Sequence, residues 1–278
     1  LLKTLFKDLA KEYFIFSIIK RFITEYKKKI RKVSSQKIKS NKVVFSYYYP
    51  GGQSFDKGFS SKYFEEVSFM LSSKYEWLFL YVGNFLKLSK ENELIQKNLN
   101  PFGFLDSYFS LSNFNEIIIN FFKVRKKLKS INLKKLFIYE ELNYLPLIKK
   151  DWSISIAILL LDQMIFEKKI SNFFLKNSHI NEAIYLLEFQ PWEQIFNKVA
   201  KKNNIKTKGV IHSVVRPNVM NYYHSKIIHP YLCVPSFIGV NSDFSKSLML
   251  QNGFKSDQVI KIEAQRFNYL AQTQIKVN

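Results

Sequence analysis

The sequence predicts an α/β protein built on a doubly wound parallel sheet. Short runs of β-branched and aromatic residues alternate with helix-like segments of ten or more residues, the alternation that gives parallel strands with helical crossovers. Hydrophobic residues make up 47% of the 278 residues, and 17% are aromatic, which is enough for a sizeable core. There are only 8 Gly and 7 Pro, so a loop-rich scaffold is not expected.

The elements of this Rossmann-like sheet can be placed from local patterns. Residues 101–103 are predicted as a loop, and 136–145 show no clear period. The predicted strands are 43–49, 77–82, 183–189, 209–214, 237–240 and 259–262. The predicted helices are 61–71, 85–98, 115–129, 154–175, 192–203 and 244–252.

Residues 1–40 are predicted as a basic amphipathic helix that precedes the sheet. Apolar side chains recur every seven residues from Leu2 to Ile30, and residues 1–42 hold 13 Lys+Arg against 3 Asp+Glu, a net charge of +10. Such a helix suits an anionic membrane surface. The alternatives are a helix packed on the domain behind it and a coiled coil. The total charge of +21 could also reflect an AT-rich genome, since Lys, Asn, Ile, Phe and Tyr are abundant together.

Several classes of protein are disfavoured by the sequence. The one cysteine, Cys233, excludes an intrachain disulfide framework and fits a reducing compartment. No signal peptide is visible, and the longest apolar runs are far short of the ~20 residues of a spanning helix. The four His residues lack metal-binding spacing, and no nucleic-acid-binding motif is present. We therefore expect a cytoplasmic protein, peripheral on the inner face of the plasma membrane, that binds neither metal nor nucleic acid.

The end of the first predicted strand carries two glycines. Gly51 and Gly52 follow an aromatic run and let a ligand approach the backbone closely. No Walker or GxGxxG motif is present, so an ordinary βα turn is the alternative to a ligand-binding loop. Asp56, further along this loop, is a candidate base.

Two later strand ends carry the ionisable residues Glu188 and His212. Glu188 ends an apolar strand, where partial burial would raise the pKa of its carboxyl and suit it to act as a base. His212 lies at the end of the next strand, where it can accept a proton or hold a phosphate oxygen, and Arg216 can contact a phosphate. One helix separates the two strands, so we expect both ends to face one cleft.

Pro191 and Glu193 have a sufficient structural explanation. Proline is tolerated at the first helical position because it has no N–H to leave unpaired there. A carboxylate in the first turn interacts favourably with the helix dipole. We therefore expect Glu193 to contribute mainly to helix stability.

The residues around these strand ends resemble a known family. The run 188–193 (Glu-Phe-Gln-Pro-Trp-Glu), a helix, and the run 209–216 (Gly-Val-Ile-His-Ser-Val-Val-Arg) resemble bacterial GT-B glycosyltransferases of O-antigen or capsule biosynthesis. Gly253 and the run 263–267 are similar to that family's segment near the crossover to its second domain. A more distant similarity is to Kdo transferases. The specific part covers residues 183–270.

The resemblance implies the acceptor-side, N-terminal half of a GT-B fold. It implies a nucleotide sugar as co-substrate, a lipid-linked or oligosaccharide acceptor, and transfer without a bound metal or other cofactor. The candidate catalytic residues are Glu188, His212 and Asp56. The substrate-binding candidates are Gly51, Gly52, Gln190, Trp192, Glu193, Ser213, Arg216 and Arg266.

The resemblance also suggests how the chain is divided. Residues 1–40 would form the basic helix, 41–270 the acceptor domain, and 271–278 the start of an interdomain linker or of a truncated donor domain. The chain is then expected to be a fragment, which puts unaided catalysis in question. The alternatives are a nucleotide-sugar epimerase of the same fold and a non-catalytic peripheral membrane module.

Overall fold

The structure, a computed structural model, divides into two compact units. The first unit comprises residues 1–31 and 108–169, and the second comprises 32–107 and 170–278. The structure describes residues 18–20, 23–24, 39–48, 53–55, 59–61, 64, 67–81, 102–109, 111–213, 215–217, 222–223 and 233–262.

The described elements alternate between strands and helices over most of the chain. The strands are β1 (Lys42–Tyr48), β2 (Gln53–Ser54), β3 (Ser60–Ser61), β4 (Glu76–Tyr81), β5 (Phe102–Phe104), β6 (Ile138–Tyr139), β7 (Leu142–Asn143), β8 (Glu182–Leu186), β9 (Lys206–Val210), β10 (Phe237–Val240) and β11 (Val259–Lys261). The α-helices are α1 (Val67–Lys74), α2 (Phe114–Lys129), α3 (Leu133–Leu136), α4 (Leu145–Ile154), α5 (Leu160–Lys176), α6 (Pro191–Lys202) and α7 (Asp243–Gln251). Two 3₁₀ turns, Leu105–Tyr108 and Leu111–Asn113, precede α2, and a π-helical turn, Ser155–Leu159, joins α4 to α5.

The second unit is built on a seven-stranded sheet with the order β11-β10-β9-β8-β1-β4-β5. Every neighbouring pair in this sheet is parallel. The predicted α/β class with a parallel sheet is therefore confirmed. The GT-B half and the basic helix ahead of it stay predictions. Residues 18–20 and 23–24 are helical, and the rest of 1–38 lies outside the described residues.

The order in which the chain adds strands to the sheet reverses between β1 and β8. From β1, the chain adds β4 and then β5 on one side. It then adds β8, β9, β10 and β11 in turn on the other side of β1. Val43 of β1 is in register with Ala183 of β8, so these two strands lie side by side at the reversal. In open parallel sheets, ligands bind beyond the carboxyl ends of the strands at such a point. The ends of β1 and β8 are therefore where a site is expected.

Aromatic side chains fill both faces of the sheet near the reversal. On one face, Phe45 of β1 and Tyr185 of β8 pack against Phe196 of α6, with ring centroids 5.3 Å apart in both pairs. On the other face, Trp77 and Phe79 stack with centroids 5.7 Å apart. These five rings are all buried. A parallel strand is covered on both faces, which explains why the sequence of β1 is an almost unbroken apolar run.

The first unit has a smaller core between α2 and the start of α5. Ile117 and Phe121 of α2 pack with Leu161 and Ile165 of α5, and all four side chains are buried. Among the described residues, no helix is both long enough and apolar enough to cross a bilayer.

Several features differ from the predicted elements. Strand β9 covers Lys206–Val210 and not 209–214, and Ser61, predicted to begin a helix, lies in β3, while α1 begins at Val67. Residues 102–104 form strand β5 at the sheet edge, although the neighbouring Pro and Gly suggested a loop. The ambiguous stretch 136–145 contains the hairpin β6–β7. The helix predicted at 154–175 is preceded by α4 and interrupted by the π-helical turn. The predicted helix 85–98 lies outside the described residues, and the predicted limits 41 and 270 stay predictions.

The aromatic packing of α6 generates a test of the core. Phe196→Ala removes a fully buried ring that contacts Phe45, Phe174 and Tyr185. We expect the free energy of unfolding to fall by about 3–5 kcal/mol in a urea titration. Phe244→Ala on α7, where the ring is 62% exposed, is the matched control and should change stability by no more than about 0.5 kcal/mol. Equal losses for the two variants would contradict this packing.

Candidate active site

Glu188 and His212 meet at the carboxyl edge of the sheet. Glu188 lies two residues beyond β8, and His212 lies two residues beyond β9, its parallel neighbour. Glu188 Oε1 lies 3.6 Å from His212 Nε2, close enough for an ion pair when the imidazole is protonated. The Glu188 side chain is 40% exposed and that of His212 is 16% exposed. The structure thus brings together the two residues that the crossover argument placed at one edge.

The turn after β8 is held in an unusual conformation. Phe189 has a φ of 57°, in the left-handed region that a bulky residue rarely adopts. Its ring packs against Tyr222 and Phe254, with centroids 5.4 Å and 6.2 Å away. Such strain persists only where the surroundings hold it in place, and it is commonest at functional sites. The packing of Phe189 therefore sets the direction in which Glu188 leaves the sheet.

Glu193 is the second support of this turn. It is the third residue of α6, and its Oε1 accepts the backbone N–H of Glu188 at 2.9 Å. The N–H groups of Gln190 and Phe189 also act on this carboxyl. Gln190 is the N-cap of α6, so Glu193 reaches back over the helix start as the acidic residue of a capping box does. One carboxylate thereby holds the backbone on either side of Phe189.

Burial raises the pKa of the Glu193 carboxyl. The side chain is only 1% exposed, and burial raises its pKa to about 7, although the three backbone N–H groups oppose the shift. The charge of Glu188 raises it further. From the sequence, Glu188 is expected to be partly buried and Glu193 to interact with the helix dipole. In the structure the buried carboxyl is that of Glu193, whereas the Glu188 side chain is 40% exposed.

A buried polar pair lies beside Glu193. Asn197 Nδ2 donates a hydrogen bond to the Tyr185 hydroxyl oxygen at 2.7 Å. Burial raises the pKa of Tyr185 well above its usual value; the hydrogen bond from Asn197 opposes this, and the charge of Glu193 adds to it. Tyr185 therefore stays a neutral phenol on the sheet face that α6 covers.

Trp192 fixes the start of α6 against the sheet. Its ring contacts Phe45 and Tyr47 of β1, with centroids 5.1 Å and 5.6 Å away, and Tyr185 of β8 at 5.9 Å. The side chain is half-buried, so part of it remains accessible at the point where the strand order reverses. These contacts tie the turn that carries Glu188 to both central strands.

The other predicted site residues fall into two groups. Gln190 and Arg216 are exposed, and Ser213 is half-buried, with its backbone oxygen accepting a hydrogen bond from Asn241 at 3.3 Å. Ser213 follows His212 directly, so it shares the carboxyl edge of the sheet. Gly51, Gly52, Asp56 and Arg266 lie outside the described residues, and their assignments stay predictions.

A second polar cluster lies near the amino end of β8, where the sequence indicated no site. Glu182 accepts hydrogen bonds from the Tyr75 hydroxyl and from Lys208 Nζ, the latter at 2.9 Å. Burial and the bond to Glu182 raise the pKa of Tyr75. Burial alone would raise the pKa of Glu182, but Tyr75 and Lys208 outweigh it and lower the pKa. Glu182 is six residues from Glu188, roughly 20 Å along an extended strand.

An apolar groove of about 570 Å³ extends from this second cluster over one face of the sheet. Its lining includes Glu182 and Lys208 together with Leu71, Phe237 and Ile260. Neither Glu188 nor His212 lines it. The groove and the Glu188–His212 pair are therefore separate features of the second unit.

Sequence reasoning missed the supporting roles of Glu193 and Phe189. A Glu three residues after a helix N-cap is a recognisable signal, which could have identified Glu193 as a capping residue. Phe189 gave no local signal, because its left-handed conformation depends on rings at Tyr222 and Phe254 that are distant in the sequence.

Comparisons of the chain with protein-family models, with curated proteins and with solved structures find no match.

The buried Glu193 generates a pH-dependent prediction. Its pKa of about 7 in the folded state exceeds the usual 4.5, so the folded state keeps a proton that the unfolded state loses. Stability should therefore fall as pH rises from about 4.5 to about 7 and level off above that. At about 1.4 kcal/mol per pKa unit, the total fall is on the order of 3 kcal/mol.

Urea unfolding at several pH values between 4 and 8 measures this effect. Glu193→Gln removes the titrating group, so the variant should lack this component of the pH dependence. Glu188→Gln, which alters the exposed neighbour, should retain most of it. Parallel pH profiles for the wild type and Glu193→Gln would show that the buried carboxyl is not the source.

Proposed function

We propose that the chain is the acceptor-side half of a metal-independent GT-B glycosyltransferase, acting with a nucleotide sugar on a bacterial surface polysaccharide or its lipid-linked precursor. The observation that carries the proposal is the pairing of Glu188 with His212 at the carboxyl edge of the sheet, beyond β8 and β9 and next to the point between β1 and β8 where the strand order reverses. The family resemblance of the runs 188–193 and 209–216 supplies the reaction class. The place of action is the cytoplasmic side of the plasma membrane.

The reaction requires a base at the acceptor hydroxyl. The acceptor oxygen forms a bond to the anomeric carbon of the donor sugar, and its proton passes to the base. The bond from that carbon to the nucleotide phosphate breaks, and the electron pair leaves with the phosphate oxygen. A positioned base contributes about 10²–10⁴-fold to such a step.

Glu188 is the better placed of the two candidate bases. Its side chain is 40% exposed against 16% for His212, so an acceptor hydroxyl can reach its carboxylate more directly. His212 lies behind it at 3.6 Å, where the imidazole orients the carboxylate and interacts with its charge. We therefore assign the base to Glu188 and the positioning role to His212.

The surrounding residues support this division of roles. Glu193 and the packed ring of Phe189 hold the Glu188 backbone rigidly, which favours catalysis because a base must be aligned before the reaction. Arg216 is exposed beyond the end of β9 and is our candidate for contact with a donor or acceptor phosphate. Trp192 supplies accessible apolar surface next to this edge.

Replacement of the base is the direct test. Glu188→Gln keeps the shape of the side chain and removes the proton acceptor, so kcat should fall by about 10²–10⁴-fold with the melting temperature little changed. The measurement is transfer from radiolabelled UDP-, GDP- and CMP-sugars to a lipid-linked acceptor extract, with wild type and variant compared at equal concentration. His212→Gln should lower kcat less, in keeping with a positioning role.

Glu182→Gln is the matched control, because it alters a carboxyl at the opposite end of the same strand. It removes the charge that pairs with Lys208 and strengthens the hydrogen bond from Tyr75, so it should lower stability while leaving kcat within about twofold of the wild type, as expected for a residue outside the reacting groups. A Glu188→Gln enzyme as active as the wild type would contradict the assignment of the base. Lipid binding without any sugar transfer would favour the non-catalytic membrane module.

A further inference from the structure

The first unit exposes many large apolar side chains. Of the seventeen large apolar side chains that are exposed among the described residues, ten lie between Ile119 and Leu159. Single exposed apolar residues are normal on soluble proteins, but a concentration of them marks a binding surface. The ten are Ile119, Phe122, Ile131, Leu136, Ile138, Leu142, Tyr144, Leu147, Ile154 and Leu159.

Helix α2 places apolar and cationic side chains on one exposed stripe. Ile119, Phe122, Lys123 and Lys126 are spaced i, i+3, i+4 and i+7, so they lie along one side of the helix. Ile119 is 52% exposed and Phe122 is 46% exposed, and both lysines are exposed. We call these four residues the α2 stripe.

The α2 stripe lies away from the core of the first unit. The buried residues of α2 are Ile117 and Phe121, and these are the side chains that pack with Leu161 and Ile165 of α5. The apolar residues of the α2 stripe are thus additional to those that the fold needs. A helix that only borders solvent would carry polar side chains there.

Helix α4 shows the same excess of apolar surface. None of its ten residues is buried, whereas a helix of a globular domain normally buries one face. Leu147 is 76% exposed and Ile154, seven residues later, is 42% exposed. The stretch 119–159 also carries nine Lys+Arg against three Asp+Glu, a net charge of +6. The first unit therefore combines uncovered apolar surface with positive charge.

We propose that the α2 stripe docks on the surface of an anionic lipid bilayer. The apolar side chains would enter the boundary between headgroups and acyl chains, while the lysines reach back to the anionic headgroups. This arrangement uses both kinds of side chain. A protein interface is less well matched, because interface cores are depleted in lysine. A nucleic acid would contact the lysines but would leave the exposed apolar side chains without a partner.

The α2 stripe is a different surface from the predicted basic helix at residues 1–40, and it does not depend on the proposed transfer reaction. If Glu188 is not a base, the lipid surface remains. If the α2 stripe does not bind lipid, the Glu188 assignment is unaffected. The two ideas therefore fail separately.

The test is flotation of the full chain with vesicles of phosphatidylcholine, with and without phosphatidylglycerol. We expect binding only to the vesicles that contain phosphatidylglycerol. Raising the salt concentration from about 0.1 M to about 1 M should weaken it, because the Debye length shortens from about 10 Å to about 3 Å.

Two pairs of substitutions examine the α2 stripe. Lys123→Gln with Lys126→Gln should weaken partitioning by about 30-fold, since each basic residue near an anionic surface contributes about 1 kcal/mol. Ile119→Ser with Phe122→Ser should weaken it by at least about tenfold through the loss of inserted apolar surface. All four positions are exposed, so the melting temperature should stay close to that of the wild type. If the variant with Ile119→Ser and Phe122→Ser folds poorly, the variant with Lys123→Gln and Lys126→Gln tests the proposal by itself.

The control pairs come from the second unit. Lys201→Gln with Lys202→Gln removes the same charge from exposed positions of α6, and Phe244→Ser removes an exposed ring from α7. Both should bind like the wild type. Equal weakening by the α6 and α2 lysine pairs would overturn the proposal, since it would mean that only total charge matters. Absence of vesicle binding by the wild type would also overturn it. So would a dimer, detected by sedimentation velocity, that the α2 stripe substitutions dissociate, because the stripe would then be a contact between two copies of the chain.

Discussion

The pairing of β1 with β8 is the contact on which the second unit depends. The two strands lie side by side in parallel, although residues 108–169 of the first unit come between them in the sequence. This pairing creates the point where the strand order reverses, and it brings Phe45 next to Tyr185 beneath α6. Without it, the sheet would separate into two smaller sets of strands, and the edge that carries Glu188 would lose its support from β1.

The candidate site follows from a balance between strain and burial at the end of β8. A left-handed Phe189 and a buried Glu193 are both unfavourable in isolation. They are tolerated because the Phe189 ring packs against two others and because backbone N–H groups solvate the Glu193 carboxyl. The result is a packed turn with an exposed carboxylate at its tip.

The two units differ in how completely they cover their apolar residues. In the second unit, buried aromatic rings occupy both faces of the sheet, whereas α4 of the first unit buries no residue. An acceptor anchored in lipid would require a transferase close to the bilayer. The exposed apolar and basic surface of the first unit is consistent with such a location, so the proposed reaction and the proposed lipid surface fit the same setting.

Local residue patterns in the sequence predicted the positions of most strands of the sheet. β-branched and aromatic runs located β1, β4 and β8 to within a few residues, and Pro191 marked the first residue of α6. The meeting of Glu188 with His212 was also predictable, because a parallel crossover of one helix commonly joins neighbouring strands. Strand β5 was missed because three residues beside a proline carry too little pattern to distinguish a strand from a loop.

Tertiary structure decided the features that depend on distant neighbours. Glu140 and Glu141 form the β6–β7 turn with φ of 47° and 67°. Turns of this kind usually contain Asn-Gly, so the sequence here has no local motif that predicts the hairpin. The raised pKa of Glu193 arises from its burial beneath the turn that follows β8, and its position in the first turn of a helix does not reveal that burial. Sequence determines where an element begins and which side chains it carries. Packing alone determines which carboxyl is buried and which stays open to solvent, because burial depends on residues that the fold brings together.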